Sequence, residues 1–374
     1  MPALPTALYT AAQVRALDRH AIEVLGVPGY ELMNRAAQAA LVALRARFPT
    51  ARRLRIWCGA GNNAGDGYVL ARLAQAAGLA VEVVAVTAPE RLAGDAATAW
   101  RDWCAASPER LSHAAPAASD GVVNVDLEVD ALLGTGLDRP VEGAMAAAVR
   151  QINDSPAPVV ALDIPSGLSA DSGAALGVAV QADLTVSFVA LKQGLLTGAG
   201  PAHAGALVFD DLGVDAAGAG VAPSMRRLVA GDLLSWLPGR SRDAHKGRHG
   251  RVLVIGGGPG MPGAVRLAAE AALRVGAGLV SVASLPAHVP AVVAARPEII
   301  CHGIEADAAG FALLDELLAN ADVVALGPGL GRSEWARALW QRAMRHAGPM
   351  VIDADGLNLL AEQPLAAAGP RVLT

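Results

Sequence analysis

Aromatic side chains are scarce, 3% of 374 residues, so the 53% hydrophobic content is carried largely by Ala, Val and Leu. That mix belongs to Ala-rich helices packed on Val-rich strands rather than to a core built on large rings. Lysine is rarer still. Lys192 and Lys246 are the only two among 30 basic residues, arginine serving everywhere else. Each reads either as a position that needs a compact ammonium, which a guanidinium cannot mimic, or as a chance surface lysine. The three cysteines, Cys58, Cys104 and Cys301, form no CxxC pair and are odd in number, which excludes a disulfide framework and a thiolate zinc site. A net charge of -5 and a pI near 5.9 provide no basic face for a phosphate backbone, so nucleic acid is not an expected partner. Long apolar runs are missing too. The longest uncharged stretch, 275–295, is interrupted by Gly276, Gly278, Ser281, Ser284, Pro286, His288 and Pro290, so no membrane span is expected. The start has no basic segment followed by an apolar one, and the cytoplasm is the default location.

The length exceeds what one hydrophobic core usually holds, and two α/β domains are expected. Residues 10–47 read as two helices, the first capped by Thr10, separated by VPGY. From Leu54 the pattern alternates: strand LRIWCG, turn-rich loop GNNAGDG, helix YVLARLAQAAG and strand VEVVAV. Strand VDALLG, loop TGLDRPVEG, helix AMAAAVRQIN, strand PVVALDIP, loop SGLSADSGAALG and strand ADLTVSFVAL continue it. This predicts an open, mostly parallel, Rossmann-like sheet in residues 1–214, with ligands outside the carboxyl ends of its strands. The aperiodic Ala/Gly-rich stretch at 215–224 reads as the linker. A second α/β series fills 225–374, with strands GRVLVIGG, LVSVAS, DVVALG, MVIDAD and RVLT.

Two glycine-rich loops invite a dinucleotide assignment. In the first, the glycines between Gly59 and Gly67 have the wrong spacing, and Asn62, Asn63 and Asp66 form a polar hand for hydroxyls, amides or a cation. The second, Gly258-Pro259-Gly260-Met261-Pro262-Gly263, fits GxGxxG, but no ribose-binding acid follows at the distance a Rossmann fingerprint requires.

The segments GAGNNAGDGYVLARLA, VDALLGTGLDRPV and VVALDIPSGL, in that order, resemble the epimerase domain of the bifunctional NAD(P)H-hydrate repair family. With TAAQVRALDRHAI and TVSFVALKQGL, the resemblance runs from about Tyr9 to Val214. It implies interconversion of the R and S hydrates of NADH and NADPH, small molecules that would be this protein's partners. It also implies potassium held by Asn63, Asp130 and Ser166, a sensible trio because a hard monovalent cation wants neutral and anionic oxygens. Read alone, Asn63 is a turn-capping amide and Ser166 a helix cap. Substrate walls are implied at Asn62, Asn63, Ala64, Gly65 and Asp66, and at Gly134, Thr135, Gly136, Leu137, Asp138, Arg139 and Pro140. Asp163, at the end of VVALD, is the implied catalytic carboxylate; its plain reading is an Asp opening the turn before Pro165. Ala64 departs from the family's more usual glycine, and a negative φ is expected there.

The second domain resembles the family's ADP-dependent dehydratase, a ribokinase-like fold, through HKGRHG, the loop ending at Ala264, ALGPGLGRSEW and VIDADGLNLL. Ala264 and Gly329 then lie at the hydrate site, with ADP and magnesium as the ligands of a complete domain. The family's Pro-His-Pro-Gly-Glu segment, ADP loop and catalytic Gly-Thr-Gly-Asp do not occur before Thr374. The domain is therefore expected to be incomplete and inactive in dehydration, with apolar surface exposed. A ribokinase-like small-molecule kinase, and a non-catalytic scaffold relative of the epimerase domain, are the alternatives. The sequence leaves homo-oligomerisation open.

Overall fold

A computed structural model describes residues 4–107, 111–112, 125–237, 239–365 and 368–374. The chain divides into two compact units, Met1–Trp236 and Leu237–Thr374.

In the first unit the strands are β1 (Ala7–Leu8), β2 (Arg53–Cys58), β3 (Ala80–Ala85), β4 (Leu111–Ser112), β5 (Leu127–Ala131), β6 (Val159–Leu162), β7 (Leu184–Phe188), β8 (Ala206–Asp210) and β9 (Met225–Arg226). Seven of them form one parallel sheet in the order β4-β3-β2-β5-β6-β7-β8. The order reverses between β2 and β5. Loops leaving those two strands diverge to opposite sides, opening a crevice beyond the strand ends.

Alternation along the strands selects the two faces. Leu54, Ile56 and Cys58 of β2 enter the larger core with α1 (Ala11–Arg19), α2 (Gly29–Arg47), α3 (Asn62–Ala76) and α4 (Gly94–Ala106). Trp57 points the other way, into a core with Ala148, Val149 and Ile152 of α5 (Gly143–Asp154). Thr10 caps α1 as expected, its hydroxyl accepting from the Gln13 amide while the Gln13 side chain accepts from the Thr10 amide.

The expected linker is tied down. Ser224 donates its hydroxyl to Leu8 O at 3.1 Å, and β9 pairs antiparallel with β1, so residues 225–236, read above as the start of the second domain, pack with the first unit.

The second unit holds β10 (Arg251–Ile255), β11 (Leu279–Ser284), β12 (Ile300–Gly303), β13 (Val323–Leu326), β14 (Met350–Ile352) and β15 (Arg371–Leu373), all parallel in the order β12-β11-β10-β13-β14-β15. Its crevice lies between β10 and β13, by the same reversal of order. On the edge strand β15, Val372 and Leu373 are exposed. Among the described residues no helix is long and apolar enough to cross a membrane.

Candidate active site

The segment Asn62–Asp66, read as a loop, is the opening of α3. Gly61, at φ 136°, makes the turn that lets the helix begin at once, and tertiary packing then overrides the loop preference of Asn, Gly and Asp. Packing also dictates the following glycine: a Cβ on Gly67 would lie 2.6 Å from the Ala131 Cβ and 2.9 Å from the Cys58 sulfur. Asn62, Asn63 and Asp66 are thereby delivered to the carboxyl end of the sheet. Ala64 has a negative φ, as expected, and its side chain is buried in the core.

A cavity of about 670 Å³ lies at this end, bounded by Asn62, Asn63 and Asp66 of α3, by 132–139 after β5, and by Asp163 after β6. Gly134, Thr135, Gly136, Leu137, Asp138 and Arg139 all line it. Ala64, Gly65 and Pro140 do not. Ala64 and Gly65 are buried beneath the wall, and Pro140 is exposed beyond it. Among the further groups that face the cavity and that sequence reasoning did not place there are Asp18 from α1 and Lys192.

Asn63, Asp130 and Ser166 converge. Asp130, fully buried at the end of β5, accepts from the Ser166 amide at 2.7 Å, the Ser166 hydroxyl at 2.6 Å and the Leu132 amide at 3.1 Å. Ser166 caps no helix; its hydroxyl oxygen accepts from the Leu133 amide at 2.8 Å. Asn63 donates to Leu133 O at 3.0 Å, and its own Oδ1 is buried with no hydrogen-bond partner among the described residues. Burial pushes the Asp130 carboxyl up to about 6, against the lowering effect of its bonds to Ser166 and Leu132. An orphaned amide oxygen beside a carboxylate, a hydroxyl and a main-chain carbonyl is an all-oxygen set that fits a hard monovalent cation. No three His, Cys, Asp or Glu side chains among the described residues are grouped to share a metal ion.

Asp163 follows β6 with a left-handed backbone, φ 67°, uncommon outside glycine. Its carboxylate forms an ion pair with the ammonium of Lys192, which is completely buried. Burial is also the main force raising the carboxyls of the two neighbouring acids. Asp66 is held well above the usual range by burial and then by Asp163 and Asp18; Asp18 is pushed up to about 6 by burial, with Lys192 and Arg19 opposing and Asp163 adding to the rise. Three of the crevice's carboxyls, Asp18, Asp66 and Asp163, thus share the field of the Lys192 ammonium. A site of this kind binds polar groups and exchanges protons.

In the second unit, the backbone entering the GxGxxG loop is tied to the loop after β13. Gly257 N donates to Pro328 O at 3.0 Å and Gly258 N to Gly329 O at 2.6 Å, so these amides are already used. Ala264 and Gly329 are neighbours: a Cβ on Gly329 would lie 2.8 Å from that of Ala264.

Residues 29–194 match the family described as YjeF-related protein N-terminus, and residues 252–374 match NAD(P)H-hydrate dehydratase. The bifunctional NAD(P)H-hydrate repair enzyme Nnr of Coxiella burnetii is 47% identical over 96% of this chain and 72% of its own length. The chain belongs to the bifunctional NAD(P)H-hydrate repair enzyme family. Nnr of Escherichia coli K12 is 44% identical, over 96% of this chain and 68% of its own. Among solved structures, the ADP/ATP-dependent NAD(P)H-hydrate dehydratase of Bacillus subtilis, co-crystallised with ATP and Mg²⁺, is 27% identical over 37% of this chain and 48% of its own, with a TM-score of 0.32. The repair family's two-domain organisation accounts for the two parallel-sheet units. The match to the epimerase-side family covers Asn62, Asn63, Asp66, Asp130, Asp163, Ser166 and Lys192, and leaves Asp18 outside.

Proposed function

We propose that the first unit epimerises the R and S hydrates of NADH and NADPH, with Asp163 as the catalytic carboxylate. Inverting the hydroxyl-bearing ring carbon requires that hydroxyl to leave as water on one face and water to return on the other. One proton is given to the departing oxygen and one is removed from the arriving water, so the exchange balances. The observation that carries this reading is the placement of Asp163. It stands in a strained backbone at the mouth of a parallel-sheet crevice, paired with a buried ammonium and walled by Asn62, Asp66 and 134–139. Asn63, Asp130, Ser166 and the Leu133 carbonyl are the groups that would hold potassium, whose chemistry is to fix anionic and polar oxygens by charge. The Gly134–Gly136 turn lines the cavity, and its backbone amides would suit the phosphate oxygens of the nucleotide.

For the second unit we propose a role in ADP-dependent dehydration of the same hydrates, with Ala264 and Gly329 at the hydrate and magnesium accompanying the nucleotide. The expectation of an inactive second domain is withdrawn, because it rested on where the sequence stops, and the match to the dehydratase family runs through 374. The functional domains are taken as 1–214 and 225–374 joined by 215–224, although residues up to Trp236 pack with the first unit.

The test is direct. Purified protein is given one epimer of the NADH hydrate, and the two epimers are separated chromatographically over time, with and without potassium; a separate reaction with ADP and magnesium follows NADH absorbance. Equilibration of the epimers no faster than in buffer rejects the epimerase reading.

A further inference from the structure

Lys192 uses its ammonium in three directions. It donates to the Asp163 carboxylate, to Phe188 O at 2.8 Å and to Ser187 Oγ at 3.3 Å. All three hydrogens are spent, and none of the side chain is exposed. A buried ammonium is tolerated only when so paired, because its desolvation otherwise opposes folding.

The surrounding backbone is organised around that contact. Asp163 follows β6 and Val189 follows the neighbouring strand β7, and both have left-handed backbones, φ 67° and 64°. Valine in that region is a true steric outlier. These two corners bring the Asp163 carboxylate and the Phe188 carbonyl onto one point, where the ammonium sits. The main chain of Lys192 is fixed as well: Tyr9 N donates to Leu191 O at 2.9 Å and Gln193 N to Tyr9 O at 3.0 Å, so Tyr9 spans the lysine from both sides. Strain held by surrounding structure in this way is characteristic of functional sites.

We propose that Lys192 is a positioning residue of the epimerase site, holding the Asp163 carboxylate aimed into the crevice as the group that exchanges protons with the substrate hydroxyl. The proposal rests on the epimerase reading above. Asp18 and Asp66 line the same cavity, yet the ammonium's hydrogens go to Asp163 and to two groups of β7. Among these three carboxylates, Lys192 therefore hydrogen-bonds to Asp163 alone. Asp66 and Asp18 feel the ammonium only through its field, and burial outweighs that field in raising both carboxyls. The contact also explains why arginine, used for nearly every other cation in the chain, is not used here. Three acceptors arranged around one nitrogen suit a compact ammonium, and a planar guanidinium would have to displace buried backbone.

The experiment measures epimerisation in the full chain for wild type, Lys192→Met, Asp163→Asn and the double variant, with potassium present. Lys192→Met is expected to lower kcat by about a hundredfold or more while KM changes by less than about threefold, as for a group that acts on the transition state through another residue. The double variant is expected to be no slower than Asp163→Asn alone, since the lysine works through that carboxylate. Multiplied losses in the double variant, or a folded Lys192→Met with kcat within about threefold of wild type, overturn the proposal. Should Lys192→Met fail to fold, Ser187→Ala keeps the ammonium but removes one of its anchors. A fall of about three- to tenfold in kcat with unchanged KM then supports the proposal, and unchanged kcat overturns it. An inactive wild type rejects the epimerase reading and the proposal together, whereas an active wild type with an indifferent Lys192 rejects the proposal alone.

Discussion

Asn63 gives its side-chain amide to Leu133 O at 3.0 Å, and that bond leaves the amide oxygen buried without a donor among the described residues, next to the shell that joins Asp130 to Ser166. A buried acceptor left unmade costs about 1–3 kcal/mol, which a bound cation would recover. Potassium is therefore expected to raise the melting temperature of the first unit in proportion to the logarithm of its concentration above Kd. Asn63→Leu, which removes the orphan oxygen, is expected to abolish that dependence while tolerating potassium-free buffer as well as wild type or better. Calorimetric scans across a potassium series, with choline as the control cation, decide it. An equal rise with choline sinks the idea.

Asp163→Asn is expected to fold, because asparagine accepts a left-handed backbone more readily than most residues and still offers an oxygen to Lys192. It cannot exchange a proton. Epimerisation should fall by about a hundredfold or more, with substrate binding largely kept. Residual activity above a tenth of wild type in a correctly folded variant contradicts the catalytic assignment.

Asp18 makes stability depend on pH in a defined sense. Its carboxyl titrates near 6 in the folded protein against 3.8 ordinarily, chiefly through burial. Between those values the folded state binds more protons than the unfolded chain, so this group's contribution is full below the lower value and is lost as pH rises through about 6. Asp18→Asn cannot lose it. The variant should gain stability relative to wild type on going from about pH 4 to about pH 7, read as the shift in urea midpoint. A difference between variant and wild type that is the same at both pH values removes the basis for the prediction.

Gly329→Ala is expected to destabilise the second unit by roughly 1–3 kcal/mol. The residue has φ 59°, and its new Cβ would lie 2.8 Å from that of Ala264 and 3.0 Å from that of Met261. Thermal unfolding should show the loss in the transition of residues 237–374 and leave the other transition in place. An unchanged second transition would mean that the corner relaxes without cost.

The parallel strands around the first crevice were legible in sequence because runs such as VVALD and LRIWC are apolar, short and followed by turn residues. Short or edge elements were not: β4 and β12 lack a distinctive run, and α4 begins without a side-chain cap. The Asn62–Asp66 stretch was misread as loop because local composition favours loops, whereas burial of Ala64 and the close fit of Gly67 against β2 and β5 favour helix. At the site, the resemblance of three segments to the repair family led to Asn63, Asp130, Asp163 and Ser166. Asp18 carried no such signal, being one polar position on an amphipathic helix. Lys192 did leave a trace in the scarcity of lysine, though its three acceptors come together only in the fold.

The pair of hydrogen bonds from Gly257 to Pro328 and from Gly258 to Gly329 laces the ends of β10 and β13 into one body. Any molecule settling against that corner meets a surface whose shape is set before it arrives. The loops surrender little freedom on contact, and the affinity otherwise lost to ordering them stays available for telling one ligand from another.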